Sequence, residues 1–371
     1  MKTLAWIAIA VATVWLWVRP GPKPILESGG MKTARATVIS TDESSLHVHG
    51  AIKFGTQRLK VRLQDGRVAD AANELRANLE LDKIFAPGDS ALVMVPENGE
   101  VAEGDVLVAR DHWRLGWAAV LLGLFSIFLV IFGGFTGLRA LFTFFFSCLA
   151  IWKLMIPAAL SGFGATPSAF ITVAALTATI MFLVAGFTRK GISAFAGAML
   201  GVVSSLALAW FFSRVMHVDG ATMPFAQQLL YSGCNGVDLG DIFIGAAILA
   251  SSGAVMDLAM DIAAGVAEVK RHNPSLGFRE LLGSGLRIGR SVTGTMTTTL
   301  LLAYSGGYLT LLMVFAAEGT RPADFLNSTL VSAELVKTLV GSFGLVLVAP
   351  FTALASAFAF SRQKSPSRLA R

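Results

Sequence analysis

Long apolar runs, each about the length of a bilayer-crossing helix, recur along this chain and are separated by short polar connections. Eight can be read, at about 3–18, 115–133, 138–156, 168–187, 193–213, 242–263, 293–316 and 338–360. An α-helix rises 1.5 Å per residue, so about 20 apolar residues cross the roughly 30 Å of bilayer hydrocarbon. Most of these runs meet that length. The pattern changes between the first and the second. There, apolar and polar residues alternate in short stretches such as Ala36-Thr37-Val38-Ile39-Ser40, Leu46-His47-Val48-His49 and Arg58-Leu59-Lys60-Val61-Arg62-Leu63. A period of two is that of half-buried strands. Turn signals at Asp65-Gly66, Pro87-Gly88-Asp89 and Glu97-Asn98-Gly99 punctuate them.

The expected fold is an α-helical polytopic membrane protein of about eight transmembrane helices with a small extracytoplasmic β-rich domain, a barrel of OB-like type. Residues 1–19 form an N-terminal membrane anchor or a signal peptide, 20–112 the β-rich domain, 113–362 a helical membrane domain of about seven spans, and 363–371 a basic tail. The first run is short enough for a signal peptide. It ends Trp15-Leu16-Trp17-Val18-Arg19-Pro20, with no small-x-small cleavage site and with tryptophans that favour a membrane interface, so an uncleaved anchor is the preferred reading. No internal repeat marks an inverted-repeat transporter.

Composition agrees with a chain solvated by lipid: 54% hydrophobic residues, 15% charged and a mean hydropathy of +0.66 are too apolar for an ordinary soluble domain. The 37 glycines serve either close helix packing or turns. Two cysteines give neither a disulfide framework nor a metal spacing. The net charge of +6 would admit nucleic acid, but the bases are distributed by topology. With a cytoplasmic N-terminus, the short inner segments collect Lys2, Arg139, Arg189, Lys190, Lys270, Arg271, Arg279, Arg287, Arg290, Arg362, Lys364, Arg368 and Arg371, while the outer ones hold only Lys153, Arg214, Arg321 and Lys337. Thirteen against four follows the positive-inside rule and places both termini in the cytoplasm. The expected surroundings are the bilayer, with anionic lipid at the cytoplasmic face, and an extracytoplasmic protein partner, without nucleic acid. Leu276, Leu281, Leu282 and Leu286 among Arg279, Arg287 and Arg290 have the pattern of an interfacial amphipathic helix over 273–290.

Candidate chemistry centres on the sixth span. Asp257 and Asp261 are four apart and share a helical face, and Glu268 lies seven further along the same stripe. An ionisable group within a span is tolerated toward a bundle interior or a hydrated cavity. Asp257, about 10 Å inside the expected boundary, is therefore the prime functional candidate. Thr297, Thr298 and Thr299 of the seventh span are expected at its depth, where an oxygen-rich setting suits a proton or hard cation. The competing reading has those hydroxyls bonded to their own backbone. Glu334 and Lys337 are read as an intrahelical pair, Lys153 as snorkelling to the outer interface, and Asp238 and Asp241 as exposed. His47, His49, His112, His217 and His272 all lie outside the spans, paired carboxylates on separate elements are lacking, and neither HExxH nor a P-loop occurs. No enzyme, cofactor or metal site is expected.

The chain resembles the YibE/F-like family of bacterial multi-pass membrane proteins. The likeness is carried by Gly253-Ala254-Val255-Met256-Asp257 with Ile262-Ala263 and Glu268; by Gly289-Arg290 with Gly294-Thr295-Met296-Thr297 and Leu300-Leu301-Leu302-Ala303-Tyr304; and by Gly341-Ser342-Phe343-Gly344-Leu345-Val346-Leu347 with Pro350. It extends over most of 115–360. The resemblance implies an anchor, a small extracytoplasmic domain and a helical region in the cytoplasmic membrane, with no established activity. Asp261 departs from the family pattern, where a less acidic residue is expected. The resulting expectation is a transporter-like protein with a proton or cation site at Asp257; the alternative is an envelope scaffold that acts through its external domain.

Overall fold

The computed structural model describes residues 11–21, 30–98, 104–234 and 236–362. The chain divides into two compact units, one of residues 24–138 and one of 1–23 with 139–371.

The first unit holds six strands, β1 (Met31–Asp42), β2 (Leu46–His49), β3 (Ile52–Leu63), β4 (Val68–Arg76), β5 (Ser90–Pro96) and β6 (Val106–His112). Pairing runs β1–β5–β6–β4–β3, and β1 also pairs β3, so five strands close into a ring with β2 as a flap on β3. Only β4–β6 is parallel. This is the small β-barrel expected, and its connectivity is a Greek key. The alternation works as read: Leu59, Val61 and Leu63 of β3 point inward with Ala36, Val38, Ala91, Val93, Val95 and Leu107. A buried polar knot adds what periodicity does not show. Gln57 is fully enclosed; its amide donates to the Phe85 carbonyl (2.8 Å) and accepts from the Phe85 N–H (3.0 Å) and from Asn73 Nδ2 (3.1 Å). Asn73 in turn donates to the Lys83 carbonyl at 2.6 Å. These bonds hold the connection after β4 against the barrel, with Phe85 as an apolar plug.

Helix α1 is described over residues 11–18, and the rest of the first expected span lies outside the described residues, as does the tail 363–371. Helix α2 (Leu115–Ala150) continues as a π-helical turn (Ile151–Met155), a short α3 (Ile156–Ala158) and a second π turn (Ala159–Phe163). Inside α2, Gly134 is non-helical, with φ 54° and ψ −132°. Three residues on, a Cβ at Gly137 would stand 2.9 Å from the carbonyl carbon of Leu129, so the backbone doubles back tightly where only glycine fits. The break falls where the sequence placed a turn between two spans.

The second unit continues with α4 (Ala165–Ala185), α5 (Arg189–Val215), α6 (Ala226–Tyr231), α7 (Leu239–His272), α8 (Phe278–Gly307), α9 (Leu309–Ala317), α10 (Pro322–Asn327) and α11 (Thr329–Ser361). Helix α11 packs on α5, α7 and α8, and α7 also on α4 and α5. Small residues set the approach: Gly285 meets Ala353, Gly289 meets Ala349, and a Cβ at Gly197 would lie 2.7 Å from the Cα of Thr352.

Two expectations are corrected, and a third is met in part. Five helical stretches among the described residues are long and apolar enough to cross a membrane, and a sixth only if α8 and α9 count together; of the eight expected, the first lies largely outside the described residues. The second and third expected spans fall within the single run Leu115–Phe163 that breaks at Gly134. The seventh, expected as one span over 293–316, is instead bent by 67° between α8 and α9; the Gly306-Gly307 pair at the bend offers little resistance to it. Finally, 273–290 is not a separate interfacial helix. Its residues 278–290 are the opening turns of α8, with Leu281, Gly285 and Gly289 buried against the bundle.

Candidate functional site

Asp238 starts α7 as its N-cap, its carboxylate accepting from the N–H groups of Gly240 (2.8 Å) and Asp241 (3.4 Å). Asp257 lies 18 residues from Leu239 and 15 from His272, near the midpoint of this 34-residue helix. It is exposed, and so are Gly253 and Asp261, on a stripe turned away from the buried face of Val255, Leu258, Ala259 and Ile262. Asp257 and Asp261 have no hydrogen-bond or ion-pair partner among the described residues. Of the two settings expected for Asp257, a bundle interior or a hydrated cavity, it does not take the first: the apolar positions of α7 pack on α4, α5, α8 and α11, which turns the polar stripe outward.

The threonines are not brought to Asp257. Gly285 meets Val266, Gly289 meets Ile262, and Gly265 meets Ile288. Continued along the antiparallel pair, that register sets Arg290 at the depth of Asp261 and Gly294 at the depth of Asp257. Thr297, Thr298 and Thr299 then fall one turn further out. Their hydroxyls donate to the carbonyls of Thr293 (2.8 Å), Gly294 (3.1 Å) and Thr295 (3.0 Å), four residues back in each case. Such back-bonding leaves them no donor to spare for a ligand.

The remaining motif residues separate by role. Gly289, Gly341 and Gly344 are packing positions, facing Ala349, Ser251 and Ser205 respectively. Pro350 lies within α11. At Gly253 and Gly294, by contrast, a Cβ would meet nothing within 4 Å. Arg290 is exposed and has no ion-pair partner among the described residues. Glu268 is held by its own helix, through Arg271 and through His272 at 3.2 Å. His47 and His49 are exposed on β2, and no group of three metal-ligating side chains occurs among the described residues.

Several polar anchors were not legible as such. Asp241, expected to be exposed, is partly buried: its carboxylate accepts from the N–H groups of Ala165 and Thr166 (3.2 Å) and so caps α4 from a neighbouring helix. Lys270 is 8% exposed and donates to the carbonyls of Pro274 (2.7 Å) and Leu276 (2.8 Å), closing the turn into α8. The Asn273-Pro274 turn signal just after a terminal lysine was the available hint. Lys153 donates to the carbonyls of Trp17 and Arg19, tying the end of α1 rather than only snorkelling. Glu334 and Lys337 do pair at 2.8 Å as read, but in a half-enclosed place where Lys337 also stands 5.3 Å from the Phe243 ring centre. The hydroxyls of Tyr304, Thr338 and Thr352 are buried without a partner among the described residues. Two clefts, one lined by Lys153, Ser161 and Ser168 and one by Arg214, His217, Asp219 and Asp241, do not include Asp257.

The family model described as YibE/F-like protein matches residues 121–362, the stretch that carries all three glycine blocks. No curated protein and no solved structure matches the chain.

Proposed function

Because this chain belongs to the YibE/F-like family, we propose that it is a multi-pass protein of the bacterial cytoplasmic membrane, not an enzyme, that moves a small solute with a proton or cation bound or relayed at Asp257 and Asp261. Both termini lie in the cytoplasm and the barrel outside. Several observations support the membrane setting. The stretch Leu115–Phe163 is strongly apolar, yet residues such as Ile131 and Phe132 are 76% and 97% exposed; a helix apolar all round needs lipid or protein about it. Arg19 over Trp15, Arg214 over Trp210 and Arg362 over Phe358 mark helix ends with the aromatic and cationic pairs that favour an interface.

One observation carries the site: an unpartnered carboxylate near the midpoint of a 34-residue apolar helix. Placing a charge there costs about 3 kcal/mol or more unless something compensates it, and a bound proton or cation does so directly. The test is ion-gradient-driven flux and ion binding in proteoliposomes, with wild type against Asp257→Asn. Loss of coupled flux supports the assignment; equal flux with unchanged ion affinity removes Asp257 from the mechanism.

A second reading rests on the barrel. Val48, Phe54, Val68 and Val106 are exposed there at 64%, 42%, 58% and 61%, apolar side chains of the kind a protein partner in the envelope would cover. In that reading the protein is a scaffold, and deletion of residues 30–112 abolishes function while Asp257→Asn does not. Intact function after that deletion rejects it.

A further inference from the structure

The cleft beside Lys153 lies apart from Asp257 and has a chemistry of its own. It encloses about 560 Å³ between the end of α1, the helical segment from Phe146 to Phe163 and the first half of α4. Two π turns, Ile151–Met155 and Ala159–Phe163, shape that segment, and such turns recur at functional sites. The hydroxyls along the walls are already engaged. Those of Ser161, Ser168 and Thr172 donate to the carbonyls of Ala158 (2.9 Å), Gly164 (2.6 Å) and Ser168 (2.8 Å), three or four residues back. With Phe146, Leu154, Ile171 and Leu176 completing the lining, the walls suit hydrocarbon and offer little to a polar solute.

The two charged residues of the lining are both cations, drawn together where α1 ends. Lys153 donates to the carbonyls of Trp17 and Arg19, neutral acceptors that leave its charge uncompensated. Arg19 is exposed, its guanidinium 5.2 Å from the centre of the Trp15 ring. Neither cation has a carboxylate within pairing distance among the described residues. An ammonium beside a guanidinium is a match for a phosphate, which takes charge-assisted hydrogen bonds from both. From Lys153 back to Phe146 the wall runs for roughly 10 Å at the rise of a helix. A free phosphate leaves that wall uncovered, and a zwitterionic lipid brings its own cation to the pair.

We infer that this cleft binds one anionic phospholipid, its phosphate on Arg19 and Lys153 and one acyl chain along Phe146, Leu154 and Leu176. The site goes beyond the ion site and shares with it only the membrane setting. In the proposed topology the lipid belongs to the outer leaflet, on the opposite side from the anionic lipid expected at the cytoplasmic face.

The test places the full chain in phosphatidylethanolamine vesicles containing a probe lipid with a photoreactive diazirine at the end of one acyl chain. The probe is either phosphatidylglycerol or phosphatidylethanolamine, and the label is mapped by peptide mass spectrometry. Phosphatidylglycerol should label residues 146–176 about tenfold more than phosphatidylethanolamine does, as a hydrogen bond to a charged group gives, while α11 is labelled equally by both. Arg19→Gln should remove the preference and Arg19→Lys should keep it. Ala175 lines the cleft from an exposed position, so Ala175→Trp should fill the space and also remove the preference, at an unchanged thermal midpoint. Equal labelling by the two probes, or a preference that survives both Arg19→Gln and Ala175→Trp, overturns the site. A preference abolished by inorganic phosphate assigns the cations to a free anion and overturns the lipid. Release of the chain from membranes by alkaline carbonate sinks the setting shared with the ion site, whereas a chain that stays embedded and shows no preference sinks the cleft alone.

Discussion

Single side chains decide more here than their sequence context reveals. Gln57 is an example: on β3 it occupies an inward position between Gly55 and Leu59, where alternation asks for an apolar residue. Its amide group holds both the N–H and the carbonyl of Phe85, and it orients Asn73 as well. A Gln57→Leu variant keeps the volume but strands three enclosed polar groups, each worth about 1–3 kcal/mol when left without a partner. The expected outcome is a barrel destabilised by about 2–4 kcal/mol, measured as a shift in urea midpoint. A shift no larger than that of a surface control would show that water replaces the amide. Gly197 makes a parallel case in the helical unit. With the Cα of Thr352 only 2.7 Å from an added Cβ, Gly197→Ala forces α5 and α11 apart. A loss of about 1–3 kcal/mol is expected from overpacking, read as a lower thermal midpoint in detergent, and an unchanged midpoint would mean the crossing is looser than drawn.

At the scale of elements, the junction between β6 and α2 gives a pH-dependent contact. Arg114 donates to Asp111 at 2.8 Å and holds its carboxyl below the usual carboxylate range, outweighing the effect of partial burial. A depressed folded-state value stabilises above the unfolded value and loses that contribution as pH falls through the folded one. Arg114→Ala should therefore lower barrel stability at pH 7 only slightly, as suits an exposed pair. The difference from wild type should shrink as pH falls below the usual aspartate value of about 4 and vanish below the depressed folded-state value. A gap in thermal midpoint that persists there assigns Arg114 a packing role instead. Elements also show where sequence reading succeeds and stops. Period-two alternation located the barrel strands, and the gap between the apolar runs 115–133 and 138–156 located the break at Gly134, because both signals are local. The inward packing of residues 278–290 is set by what α8 touches, Ala353 and Ala349 of α11, and no local pattern carries that. The candidate site divides in the same way. The i, i+4 spacing placed Asp257 and Asp261 on one stripe, but its outward direction and the offset of Thr297–Thr299 depend on the α7–α8 register.

For the whole molecule, the decisive quantity is the side of the membrane on which each connection lies. Two independent asymmetries bear on it. In the proposed topology lysines and arginines gather in alternate connections, thirteen against four, and the non-helical break at Gly134 falls between the second and third apolar runs, where this alternation requires a turn. Without a turn there, every later connection changes sides and the positive bias runs the wrong way. Single cysteines test the sum directly, in a background lacking Cys148 and Cys234. A probe that cannot cross the membrane should label Asp65→Cys in the barrel and Asp219→Cys after α5 in intact cells. It should reach Gly283→Cys near the start of α8 only after the membrane is permeabilised. Labelling of Gly283→Cys and Asp65→Cys from the same side would remove one crossing between them. Asp257 would then sit on a helix running the other way, and the proton or cation path proposed for it would have to be drawn from the opposite face.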